Sequence, residues 1–99
     1  MGAFALKINA KDNVAVVLSG PVPAGEDVEV RDRGGSSFSL KSENDIPFGH
    51  KIALCQIGAG EHIVKYGEVI GAASMAIMPG QHVHIHNMDS LRARGDLEG

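Results

Sequence analysis

Through most of the chain, large apolar residues alternate with small or polar ones in runs of four or five, the period of strands rather than helices. Phe4-Ala5-Leu6-Lys7-Ile8 is the first such run, and Lys11-Asp12-Asn13 turns the chain into the β-branched run Val14-Ala15-Val16-Val17-Leu18. Val28-Glu29-Val30 and Phe38-Ser39-Leu40 flank Arg33-Gly34-Gly35-Ser36, a hairpin signal because paired glycines accept positive φ. Lys51-Ile52-Ala53-Leu54-Cys55 and His62-Ile63-Val64-Lys65-Tyr66 follow, separated by Gly58-Ala59-Gly60. Short extended pieces are predicted at Val69-Ile70 and Ser74-Met75-Ala76-Ile77-Met78, and a last strand at His82-Val83-His84-Ile85-His86. The alternation places Val83 and Ile85 inward. Beyond Asn87 the pattern fades, so residues 1–87 are read as one domain and 88–99 as a polar tail.

A weak internal repeat organises this pattern. Val22-Pro23-Ala24-Gly25-Glu26-Asp27-Val28 resembles both Ile57-Gly58-Ala59-Gly60-Glu61-His62-Ile63 and Ile77-Met78-Pro79-Gly80-Gln81-His82-Val83. In each, a branched residue precedes two small or turn-prone residues, then glycine, then a polar residue entering a strand. Glycine there supplies the positive φ of a tight reversal. Three such turns predict a mainly β, hairpin-rich fold with no helical layer.

Composition adds limits. With 99 residues the chain has room for one modest core, and with three Phe, one Tyr and no Trp that core is aliphatic. A small core gains from a covering partner, a second copy of the chain included. The net charge of −3 supplies no basic patch for nucleic acid. No apolar run approaches the ~20 residues that span a bilayer. Met1-Gly2-Ala3-Phe4 lacks the basic flank of a secretory signal, and the single Cys55, after apolar Ala53 and Leu54, reads as a buried thiol in a reducing compartment. A cytoplasmic protein is expected.

His82, His84 and His86 carry the sharpest chemical signal. On a strand they share one face, adjacent imidazoles starting ~7 Å apart and the outer two ~13 Å apart. Two neighbours reach one metal; all three converge only if the strand bends. Imidazole suits Zn, Fe, Mn or Ni, and a polar, solvent-facing strand is the competing explanation. In Gly49-His50-Lys51, His50 is a candidate acid–base group and Lys51 a candidate carboxylate anchor, against an ordinary surface loop. Lys65 offers a second ammonium. Tyr66 reads as a half-buried anchor and His62 as structural. Asn87 is either a substrate hydrogen-bonding group or a turn residue. Arg92 and Arg94 read as solvated tail charges.

Four strings in the same order and spacing, Asp12-Asn13-Val14-Ala15-Val16, Ile46-Pro47-Phe48-Gly49-His50-Lys51-Ile52-Ala53-Leu54, Ile63-Val64-Lys65-Tyr66-Gly67-Glu68-Val69-Ile70-Gly71 and Gly80-Gln81-His82-Val83-His84-Ile85-His86-Asn87, resemble the N-terminal domain of the altronate/galactarate dehydratase family. The resemblance implies a SAF-type β-clip and a hydro-lyase working with a large catalytic polypeptide, the isolated chain being inactive. It implies β-elimination from an altronate-like hydroxy acid, with a divalent metal such as Fe or Mn. The His-x-His-x-His-Asn ending resembles the altronate and sulfolactate branches more than the galactarate branch. On this reading His50, His84 and His86 are catalytic candidates and Lys51, Lys65, Tyr66 and Asn87 contact substrate. His82, His84 and His86 are the metal candidates. A non-catalytic sugar-acid-binding or scaffold module and a sulfolactate sulfo-lyase small subunit remain alternatives.

Overall fold

The computed structural model describes residues 2–90, which form nine strands and, among the described residues, no helix. β1 (Ala3–Leu6), β2 (Val14–Val17), β3 (Asp27–Arg31), β4 (Ser37–Lys41), β5 (Lys51–Ala53) and β8 (His82–Val83) build a six-stranded sheet in the order β4-β3-β1-β2-β5-β8. β6 (His62–Lys65), β7 (Glu68–Ala73) and β9 (Met88–Ser90) build a second sheet in the order β6-β7-β9. The pairings are antiparallel except β1 with β3.

The repeat legible at three places in the sequence occurs at four, the additional copy being residues 46–52. In every copy the glycine has positive φ: 90° at Gly25, 84° at Gly49, 87° at Gly60 and 88° at Gly80. The N–H after each glycine donates back to the carbonyl three residues earlier, as Glu61 does to Gly58 (2.9 Å) and His50 to Pro47 (3.0 Å). With glycine third of the four residues this is a type II turn. The copies interlock two by two. Val22 and Ile46 exchange a pair of backbone hydrogen bonds of 2.8 and 2.7 Å, and Ile57 and Ile77 exchange a pair of 2.8 Å. Each turn is also clasped by the strand end that precedes its mate: Gly25 N–H donates to Ser42, Gly49 to Val17, Gly60 to Ala73 and Gly80 to Ala53, at 2.7–2.8 Å.

Val22, Ile46, Ile57 and Ile77, the branched residues that open the four copies, are all essentially buried. They seed two adjoining cores. Val22 and Ile46 join Ala5, Ala15, Val17, Val28, Val30 and Ile52 in one, and Ile57 and Ile77 join Val14, Ala53, Ile63 and Val83 in the other. β2 is buried at all four positions because its two faces supply both cores, which explains a run without polar alternation.

Four local expectations change. The last strand ends at Val83; His84 bends, residues 85–87 turn, and Ile85 is 79% exposed instead of packed inward. Met88–Ser90, read as the start of a polar tail, form β9 against β7, with Met88 packed on the second core. The piece at 74–78 is a bend followed by the single bridge at Ile77, the strand itself closing at Ala73. Cys55 is exposed, because the bend at residues 54–55 turns it out of the strand. Arg92 and Arg94 lie outside the described residues.

Candidate functional site

Antiparallel pairing of β5 with β8 sets Ile52 opposite His82, and the two-residue period puts His50 on the same side. His50 enters directly from the type II turn at Phe48 and Gly49. The result is a contact between two histidines far apart in sequence: His50 Nδ1 lies 2.8 Å from His82 Nε2. The bend after Val83 then folds His84 over the pair, its ring stacked on His50 with centroids 4.0 Å apart and planes 19° from parallel. His86 approaches His82 at 5.0 Å, tilted by 41°.

Two asparagines hold this geometry. Asn44 Oδ1 accepts the His82 N–H (2.9 Å). Asn87, only 4% exposed, donates from Nδ2 to the His82 carbonyl (2.8 Å) and accepts the His84 N–H at Oδ1 (3.0 Å), while its own N–H donates to the His84 carbonyl (3.0 Å). Both ends of its amide are spent on the loop that carries the histidines. Asn87 therefore shapes the site, and its geometry favours the turn role over a substrate contact.

Half-burial among like groups sets the charge state. Desolvation first, then neighbouring His86, His50, His84 and Lys51, push His82 down to about 4. His84 is lowered for the same reasons, burial leading and His50 next. Neutral imidazoles are electron-pair donors, the form that binds metal or accepts a proton. His50, His82 and His84 each offer a ring nitrogen, all within 4.8 Å of one another. A tetrahedral site with metal–nitrogen bonds of about 2.0–2.1 Å needs ligand nitrogens roughly 3.4 Å apart, so small ring rotations suffice. This grouping differs from the 82/84/86 comb: His50 joins because β5 lies beside β8, and His86 stays outside because the strand stops at Val83.

Lys51 belongs to the opposite face of β5, level with Val16 and Val83. Burial lowers its pKa first, and the Lys65 ammonium adds to the shift. Among the described residues neither lysine forms an ion pair; the pairs present are Arg31–Glu29 and Lys41–Asp27. Lys65 Nζ sits 5.2 Å from the Tyr66 ring. Tyr66 and Gly67 form the two-residue hairpin loop between Lys65 and Glu68, both with positive φ (55° and 82°), a conformation uncommon for tyrosine. His62 is exposed at the start of β6, apart from the histidine cluster.

Asp12 emerges only in three dimensions. It is 5% exposed, and its carboxylate accepts the N–H groups of Ile8 (3.0 Å), Asn9 (3.0 Å) and Gly67 (2.7 Å). Burial pushes its pKa up, but the backbone donors outweigh burial and leave it below the ordinary value. It thus ties the β1–β2 turn to the hairpin carrying Lys65 and Tyr66. The sequence marks Asp12 as a turn residue in Lys11-Asp12-Asn13, but nothing local points to its contact with Gly67.

Residues 3–91 match the family described as altronate/galactarate dehydratase SAF domain. The chain is 40% identical over 82 residues to altronate dehydratase of Bacillus subtilis, covering 83% of this chain and 15% of that enzyme. It is 40% identical over 100 residues to altronate dehydratase of Escherichia coli, covering 94% of this chain and 19% of that enzyme. It is 34% identical over 86 residues to (2R)-sulfolactate sulfo-lyase subunit alpha of Chromohalobacter salexigens, covering 85% of this chain and 90% of that subunit. The chain thus spans less than a fifth of either dehydratase.

Proposed function

The chain belongs to the altronate/galactarate dehydratase SAF domain family, and from that premise we propose that it completes the active site of a hydro-lyase whose larger part is a second polypeptide or domain. The observation that carries this reading is the convergence of His50, His82 and His84, from two separate turns, into one partly open cluster. Three imidazoles gathered in this way, two of them on backbone pinned by Asn44 and Asn87, are more than a β fold needs for stability.

The reaction would remove water from an altronate-like hydroxy acid. The bond between the α carbon and its proton breaks, the β hydroxyl departs as water with a proton, and a double bond forms between the two carbons. The larger polypeptide supplies the base at the α carbon. His86, outside that set of three rings, would return a proton to the departing hydroxyl. Lys51 and Lys65, which form no ion pair among the described residues, would neutralise the substrate carboxylate as negative charge builds beside it. His50, His82 and His84 would hold a divalent metal of the Fe, Mn or Zn type, which when bound polarises an oxygen of the substrate. His86 lies one ring away from this set and lines the approach.

The relationship to sulfolactate sulfo-lyase subunit alpha supports a second reading, in which sulfite instead of water leaves from the same carbon. Substrate comparison in the reconstituted enzyme separates the two.

The test is His84→Ala assayed together with the larger polypeptide. Turnover should fall at least a hundredfold with association retained. Unchanged turnover would leave the chain a scaffold.

A further inference from the structure

The segment from Asn44 to His50 touches His82 at both ends, through Asn44 Oδ1 to its N–H and through His50 Nδ1 to its ring. Between those contacts the same segment forms one wall of a groove of about 360 Å³. Pro21, Pro23, Ile46, Pro47 and Phe48 line it. The one acidic residue there, Asp45, is turned onto the protein's own backbone, its Oδ1 accepting the Ala24 N–H at 2.9 Å. What remains is apolar and rigid, with φ fixed at three prolines. Phe48 is 60% exposed over it, and Ile85, between His84 and His86 in the chain, is 79% exposed.

Exposed aromatic and branched residues next to a polar centre in the chain mark an interface. A polyhydroxylated acid finds no donors in such a groove. A polypeptide segment fits it better. More than four fifths of each related dehydratase lies beyond the part this chain matches, and all three histidines of the cluster are only partly buried. We propose that the proline-lined groove and Ile85 form the docking surface for that larger polypeptide, an extended apolar segment of which covers Phe48 and closes the histidine pocket. The proposal rests on the two-part lyase reading above and names the face it uses.

Binding of this chain to a recombinant polypeptide equivalent to the remainder of the dehydratase, measured by calorimetry, tests it. Phe48→Ser and Ile85→Ser should each weaken binding at least about tenfold while leaving the melting temperature unchanged, since both side chains are mostly exposed. Phe38→Ser, on edge strand β4 at the far end of the sheet from β8, should bind within about twofold of the unaltered chain. Undiminished binding by both Phe48→Ser and Ile85→Ser overturns the docking surface alone. Failure of the unaltered chain to bind overturns the two-part reading together with it. A homodimer that Phe48→Ser dissolves would assign the groove to a second copy and likewise overturn the proposal.

Discussion

His50 Nδ1 and His82 Nε2 face each other at 2.8 Å across 32 residues of sequence. One ring nitrogen must donate and the other accept, so the pair is neutral or shares a single proton. The contact exists because Ile52 and His82 are register partners, and it makes His50, rather than His86, the third member of the cluster.

Zinc affinity should follow that membership. In the purified chain, His50→Ala is expected to weaken Zn²⁺ binding at least tenfold, read by competition with a chelating dye. His86→Ala should change it by less than about threefold. Equal losses would return the ligand set to the 82/84/86 comb.

Stability should fall on the acid side. His82 titrates near 4 in the folded chain against an ordinary value of 6.5. The unfolded chain therefore takes up the proton first, and the stability contributed by neutral His82 is complete above about pH 6.5 and declines between 6.5 and 4. The melting temperature of His82→Gln should lose part of this decline. A variant that retained the full slope would place the titration elsewhere.

Asp12→Ala should destabilise the chain by about 2–4 kcal/mol in urea unfolding, because three backbone N–H groups lose an ionised acceptor. The folded pKa of Asp12 lies below its ordinary value. Its contribution is therefore present above the unfolded value of 3.8 and lost as pH falls through the folded one. The variant should show a weaker acid dependence in that range. A loss under about 0.5 kcal/mol would refute the clamp.

The two glycines Gly25 and Gly80 share a backbone conformation but not surroundings. A Cβ at Gly80 would collide with the Lys41 carbonyl oxygen, whereas one at Gly25 meets nothing within 4 Å. Gly25→Ala should cost about 1–2 kcal/mol from positive φ alone, and Gly80→Ala about 2–5 kcal/mol with overpacking added. Equal thermal shifts would show that the close approach relaxes freely.

Much of this architecture was written in local pattern. Alternation located most strands, and the glycine after two turn-prone residues marked the reversals, because both signals act within a few residues. The copy at 46–52 was masked by Phe48 and by His50, which stands where Glu or Gln stands in the others. The site was legible only in fragments. His82 and His84 announce themselves by spacing, but the partnership with His50 depends on which strand lies beside β5, a choice made by packing of Val14, Ala53 and Val83. The strand end at Val83 depends on the Asn87 amide seizing the backbone of residues 82 and 84, a side-chain competition that hydrophobic period does not register.

The interlocked turns carry a consequence for how the molecule matures. His50 enters from the first clasp, in which residues 22–28 and 46–52 hold each other, while His82 and His84 follow the second. A chain with one half closed has imidazoles but no cluster. Ligand-binding competence is thus an all-or-none report that both halves have been completed and seated side by side.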